Sequence, residues 1–280
     1  MNAIMCLAAW HYPHRSIADN VRFFGDNGFP YISLHGDQFQ EALKDEKTGE
    51  DIARAAAEKN VLLTIHYSLP KDRLPETEKA FYDGIYRICH WQEKYQRIRI
   101  LSFDVPEEAR KDLRPYIRFV LETVPEIKIA VEDFGLTPEE EAQILELSAD
   151  PRFGLLLDAG HLHIRMNGKN DSGHRLFMKS PLETSEGNEY ERYLYAFRCK
   201  KLPIVEIHLH NNNGIQDEHQ WLHKGTLDIG MIAKILKELD YDGVVTIESA
   251  PGFNFKCYGK DADEGILKDR DLWQSLLVTG

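Results

Sequence analysis

Between Val205 and His219 the chain carries three imidazoles, His208, His210 and His219, together with the carboxylates of Glu206 and Asp217. The first half of this segment alternates. Val205, Ile207 and Leu209 share one face of a strand, and Glu206, His208 and His210 share the other. Such a strand buries both faces only if its polar face points into a site. Turn formers from Asn211 to Gly214 then end it, and Asp217 and His219 follow in the loop. Imidazoles and carboxylates concentrated at the carboxyl end of a strand point to a bound divalent metal.

The elements that must position these groups are legible in the same alternation. Short β-like runs are expected at about 3–9, 30–35, 61–66, 98–104, 127–132, 153–158, 204–210 and 243–248. Between them run amphipathic stretches, among them 49–59, 75–95, 106–123, 137–148, 187–199 and 226–239, several opening on proline and acidic residues as helix starts do. Eight such units predict an α/β protein, a single (β/α)8 TIM barrel over 1–280, with its site at the carboxyl ends of the strands. Strand ends supply a second argument. His35, His66, Glu132, Asp158, His208 and Glu248 each close a strand on the parity opposite to its apolar residues, so six strands aim titratable groups at one mouth. A doubly wound sheet would need a glycine-rich phosphate turn after the first strand, where the chain reads Ala-Ala-Trp-His-Tyr-Pro-His.

Composition excludes some functions. With 42% hydrophobic and 29% charged residues the chain is an ordinary globular sequence, and a net charge of -12 repels phosphate backbones at long range. A small-molecule substrate is favoured over nucleic acid. The four cysteines, Cys6, Cys89, Cys199 and Cys257, form no CxxC pair, so free thiols in a reducing compartment are expected. No stretch has the length of a membrane span, and the N-terminus lacks the basic region of a signal peptide, so a cytoplasmic location is the expectation. The connection after Asp158 is expected to be a long loop. Arg165, Lys169, His174, Arg175 and Lys179 make it locally cationic, suited to a phosphate or simply a solvated surface loop.

In order and spacing the motifs resemble those of the xylose isomerase-like barrels, which include sugar and sugar-phosphate isomerases and epimerases and the type IV apurinic endonucleases. The resemblance rests on Ile-His-Tyr at 65–67, Val-Glu-Asp at 131–133, Leu-Asp-Ala-Gly-His at 157–161, His-Leu-His-Asn-Asn-Asn-Gly at 208–214, Asp-Glu-His at 217–219, Lys-Gly-Thr-Leu-Asp at 224–228 and Ile-Glu-Ser at 247–249. It implies one divalent metal, Mn2+, Mg2+, Co2+ or Zn2+, held by Glu132, Asp158, His208 and Glu248. It also implies that Glu132 and Glu248 are the acid/base pair and that His161 bonds a substrate hydroxyl. A metal clamping a carbonyl and the adjacent hydroxyl acidifies the C–H between them, and a carboxylate on each face can remove and return the proton.

The endonuclease-like members hold a metal cluster, for which His66, His161, Asp217 and His219 correspond to further ligands of a second metal or to substrate contacts. The histidine expected at the end of strand 4 is missing, since the chain reads Leu-Ser-Phe-Asp-Val at 101–105, with Asp104 as the candidate substitute. Bland readings stand beside these. His35 and His66 divide between substrate contact and structure, and Asp217 and His219 also suit turn and helix capping. Glu206 and His210 are candidates for orienting ligands, and Trp10, His11 and Tyr12 for walling the pocket. The expected activity is a metal-dependent isomerase or epimerase of a small sugar, sugar phosphate or polyol ketone. Alternatives are a metal-dependent dehydratase of the same family and an endonuclease IV-like phosphodiesterase. Family members often associate, so a homo-oligomer is compatible with the resemblance.

Overall fold

The structure, a computed structural model, describes residues 3–133, 137–167, 187–198, 203–252 and 256–278. Eight parallel strands close into one barrel: β1 (Ile4–Ala8), β2 (Tyr31–His35), β3 (Leu62–Ser68), β4 (Ile98–Asp104), β5 (Lys128–Glu132), β6 (Phe153–Asp158), β7 (Ile204–Leu209) and β8 (Val244–Ile247). Each strand pairs with its successor and β8 returns to β1, as the alternation of strand and helix patterns predicts. All eight expected strands are present.

Parallel partners share a face, so the register identifies the barrel interior. Asp158 pairs with His208, His208 with Thr246, and Thr246 with Cys6. His66 pairs with Ser102, and Ser102 with Ala130. The opposite parity, including Leu7, Ile32, Leu63, Ile65, Leu101, Val131, Leu157, Ile207 and Val245, packs outward into one large core under the helices. Inside the barrel a smaller apolar cluster of Cys6, Ile100, Ala130, Leu156 and Val244 lies among buried polar side chains: Ser33, Thr64, Ser102, Glu206 and Thr246.

The described helices are α1 (Ile17–Asp26), α2 (Gly36–Ala42), α3 (Glu46–Glu58), α4 (Pro75–Tyr95), α5 (Glu107–Arg110), α6 (Arg114–Thr123), α7 (Pro138–Leu147), α8 (Ala159–Asn167), α9 (Glu189–Arg198), α10 (Ile229–Glu238) and α11 (Gly259–Val278). Local chemistry sets their ends. Ser16 caps α1, Asp228 caps α10, and Thr137 with Glu140 forms a capping box at α7. Two expectations are corrected. The single helix over 106–123 is divided into α5 and α6, because Pro115 has no N–H for the carbonyl of Lys111 and its ring collides with that turn. The expected loop after Asp158 begins instead as α8, and Arg165 on it is fully buried, bonding the Asp133 carbonyl at 3.2 Å. Arg165 is therefore a structural cation behind β5 and not part of a phosphate-binding loop. Lys169, His174, Arg175 and Lys179 lie outside the described residues. No helix among the described residues is long and apolar enough to cross a membrane.

Candidate metal centre

At the carboxyl ends of the strands, acids and imidazoles alternate around the mouth. Asp104 Oδ1 lies 3.3 Å from His66 Nε2, which is 3.9 Å from Glu132 Oε2. Glu132 Oε1 is 2.9 Å from His161 Nδ1, and His161 Nε2 is 3.3 Å from Asp217 Oδ2. Asp217 Oδ1 is 3.2 Å from His219 Nε2, whose Nδ1 is 3.8 Å from Glu248 Oε2. Glu248 Oε2 then meets His208 Nδ1 at 3.0 Å. Asp158 lies within this succession, with Oδ1 3.3 Å from His210 Nε2 and Oδ2 3.7 Å from His161 Nδ1.

The backbone that delivers these groups is shaped for the purpose. His66, Glu132, Asp158 and His208 stand on the inward parity of β3, β5, β6 and β7, and Glu248 follows β8 directly. Asp158 also accepts the His161 backbone N–H at 2.7 Å, the bond of a helix N-cap, so one carboxyl both starts α8 and brings His161 back over the strand ends. Gly160 is required between them, because a Cβ there would stand 2.2 Å from the His210 ring. After β7, Asn211 bonds the carbonyls of Leu222 and Leu227, and Asn212 bonds that of Gly160. Gly214 takes a φ of +75° in this turn. His219 itself is held at a φ of +45°, unusual for a side-chain-bearing residue, and Nδ1 is fixed 3.0 Å from the Glu248 carbonyl.

Electrostatics follow from the alternation. Burial lowers the tendency of the His66 imidazole to hold a proton, but Asp104 and Glu132 overcome it and raise its pKa to about 10. His219 is likewise opposed by burial and raised to about 10 by Asp217 and Glu248. His161 and His208 also rise, the first beside Asp158 and Asp217, the second beside Glu248, although burial works against both. Burial raises Glu132 to about 7, with His161 pulling partly the other way. For Asp158, Asp217 and Glu248 burial is outweighed by neighbouring imidazoles, and their pKa values fall. Asp104 is the most solvent-facing, with 43% of its side chain exposed; burial of its carboxyl is outweighed by His66, leaving it at about 2.

Five overlapping sets among the described residues bring potential ligand atoms within 4.8 Å of one another. Asp158, His208 and Glu248 form one, and Glu132, Asp158 and His161 another. Thus the four expected ligands are adjacent, with Glu132 joined to the other three through Asp158. The expected further ligands also gather, His66 with Asp104 and Glu132, and His161 with Asp217 and His219. His210, expected only to orient ligands, belongs to the latter set, its ring stacked 3.9 Å from that of His219. His11, expected as a pocket wall, groups with His219 and Glu248. Trp10 does form a wall, stacked on His66 at 5.8 Å, and His35 meets its edge at 6.2 Å without joining any set. Both nitrogens of His161 face carboxylates, so a substrate hydroxyl reaches it only by replacing one of them.

Whether these residues suit a cation can be judged from unsatisfied groups. Asp158 Oδ2 is buried without a hydrogen-bond partner among the described residues, and Glu132 Oε1 and His210 Nε2 meet only ionisable groups of the same cluster, at 2.9 and 3.3 Å. Buried polar atoms are seldom left so, and an oxygen-rich set with imidazoles is the donor chemistry of divalent metals.

Several known proteins are similar to this chain. The Methanocaldococcus jannaschii protein MJ1311 is 26% identical over 160 residues, 57% of this chain and 46% of that one, so the match spans just under half of that relative's length. A D-tagatose 3-epimerase-like protein superposes with a TM-score of 0.67 at 16% identity, covering 98% of this chain and 97% of that one. The 3-keto-D-glucoside 4-epimerase YcjR from E. coli superposes with a TM-score of 0.62 at 16% identity, covering 98% and 99%. At such identity these two likenesses concern the fold. The sequence pattern of the xylose isomerase-like TIM barrel matches residues 21–275, nearly the whole of the closed barrel described above, and the chain belongs to that family.

Proposed function

We propose that the protein is a divalent-metal-dependent isomerase or epimerase of a small sugar, sugar phosphate or related polyol ketone, acting by proton abstraction next to the carbonyl. The observation that carries this reading is the convergence of buried carboxyl and imidazole groups at the mouth, Asp158 Oδ2 among them without a hydrogen-bond partner among the described residues. Asp158, His208 and Glu248, with Glu132 beside them, would hold Mn2+, Mg2+, Co2+ or Zn2+. A cation there would polarise the ketone and acidify the neighbouring C–H. The chain's own residues then move the proton. In the metal-free protein burial raises Glu132 to about 7, whereas neighbouring imidazoles hold Glu248 well below its usual range. Glu132 and Glu248 would be the carboxylates that remove the proton and return it. His161, 2.9 Å from Glu132, fixes that carboxyl, and the Trp10 ring stacks on His66 at 5.8 Å. Neighbours of this shape named as sugar epimerases support the substrate class. A dehydratase would share the same abstraction and lose water afterwards.

Solvent exchange tests this reading. Metal-loaded protein in D2O, offered a panel of ketoses and phosphorylated ketoses, should incorporate deuterium at the carbon beside the carbonyl. Glu132→Gln and Glu248→Gln should each lower turnover by about 10²–10⁴. Unchanged exchange in both variants would exclude their acid/base role.

A second reading has its own observation. The sets His66–Asp104–Glu132 and His161–His210–Asp217–His219 flank the central one, an arrangement compatible with more than one cation and hence with phosphodiester hydrolysis. The charge of -12 opposes a DNA substrate. One metal equivalent per chain with no cleavage of an abasic-site duplex removes this reading; several equivalents with cleavage replace the first.

A further inference from the structure

Below the mouth, the barrel interior holds a carboxyl group that the proposed chemistry does not use. Glu206 is completely buried on β7, two residues before His208 and on the same inward face. The Thr246 hydroxyl donates to its Oε1 at 2.6 Å and the Thr64 hydroxyl at 3.4 Å, while Oε2 has no hydrogen-bond partner among the described residues. The basic group within 4.0 Å of it among those residues is His208, with Nε2 at 3.8 Å from Oε1. His208 Nε2 also lacks a hydrogen-bond partner there, whereas Nδ1 faces Glu248 at 3.0 Å. A buried carboxyl with only hydroxyl donors is unfavourable in a barrel core, where an apolar side chain would serve packing better.

Resting on the metal-centre reading above, we propose that Glu206 is a positioning residue: clamped by Thr246, it takes the Nε2–H of His208 and so presents the Nδ1 lone pair to the cation. An imidazole that binds metal through one nitrogen commonly gives its other N–H to a carboxylate, which fixes ring and tautomer together. The 3.8 Å separation exceeds a direct hydrogen bond. A small rotation of ring or carboxyl closes it and selects that tautomer. Ser102 stands in the matching place under His66, its Oγ 3.2 Å from Nδ1, so the polar layer of the barrel supports two imidazoles of the mouth from below.

Co2+ titration of metal-stripped protein, followed by visible absorption, tests this without reference to turnover. Wild-type protein should bind Co2+, and Glu206→Gln should bind it about 10–100-fold more weakly with a shifted visible band. The melting temperature of the metal-free variant should stay close to that of wild type, because the isosteric amide keeps the packing and the Thr246 contact. Wild-type affinity and an unchanged spectrum in Glu206→Gln overturn the role of Glu206 alone. So does a loss of affinity matched by a fall in metal-free melting temperature, the mark of a merely structural residue. If Glu206→Gln does not fold, Thr246→Val, which leaves Glu206 in place but unclamped, should bind Co2+ several-fold more weakly; wild-type affinity there overturns the proposal. Absence of Co2+ uptake by wild-type protein sinks the metal-centre reading itself, and the positioning role with it.

Discussion

At the mouth of the barrel most imidazoles stand between two carboxylates: His66 between Asp104 and Glu132, His161 between Glu132 and Asp217, His219 between Asp217 and Glu248. In the metal-free protein that arrangement keeps the rings protonated, and this gives a pH dependence with a definite sign. His66 and His219 are raised from 6.5 to about 10, so the stability they contribute is complete below about pH 6.5 and is lost as pH rises toward 10. Glu132, raised from 4.5 to about 7, adds stability that is lost between those values. The melting temperature of metal-free protein should therefore fall between pH 6.5 and 10. Metal uptake requires neutral rings, so at pH 7 it should release protons, and apparent affinity should rise with pH. Titration calorimetry in buffers of different ionisation enthalpy measures that release, and proton uptake instead would contradict the arrangement.

Among the elements, the junction of β6 with α8 does two jobs at once. Asp158 closes the strand as an inward carboxyl and caps the helix through the His161 N–H, while Gly160 leaves room for the His210 ring. Gly160→Ala is expected to force that ring aside, destabilising the fold by about 1–3 kcal/mol as overpacked core substitutions do. Because His210 stacks on His219, the same variant should weaken metal binding, whereas Ser16→Ala at the distant α1 cap should cost about 1 kcal/mol and leave binding unchanged. Denaturant unfolding beside metal titration separates the two outcomes. The loop after β7 works similarly, with Asn211 and Asn212 spending their amides on backbone groups so that Asp217 and His219 are held over the strands. His219 takes a left-handed backbone that costs about 1–2 kcal/mol in an L-residue.

For the whole molecule, the barrel gathers candidate ligands from separate strands, so a cation held by Glu132, Asp158, His208 and Glu248 would tie together segments from β5 to β8. Binding only to the folded state stabilises it, by about 2.7 kcal/mol at a free metal concentration one hundred times Kd. Chelation should accordingly lower the melting temperature, and Mn2+ or Co2+ should restore it in proportion to the logarithm of concentration. No change on chelation followed by metal addition would count against a resident cation. Behind the mouth, Arg165 and Asp133 show how the fold uses charge that no ligand sees, since both are fully buried and in contact. Their contact explains why a basic residue that reads as surface in the sequence is occupied inside the fold.

The alternation of short apolar runs with amphipathic stretches determined the barrel, because strands of period two and helices of period 3.6 leave distinct traces in residue order. Parity at the strand ends likewise determined that His66, Glu132, Asp158, His208 and Glu248 face one mouth. What the tertiary structure alone decided is which of them touch. The start of α8 under its Asp158 cap sets His161 beside Glu132, closure of the sheet links Glu132 to the other expected ligands through Asp158, and no spacing along the chain encodes that. The start of α8 was masked by a glycine and two histidines that read as a loop, although Asp158 three residues before His161 was its cap signal. His11 enters the site from the turn after β1, whose path depends on contacts between distant segments, whereas His210 follows β7 directly on the parity of His208. Glu206 was visible as inward, but its place beneath His208 and beside Thr64 and Thr246 exists only when β3, β7 and β8 are closed into one wall.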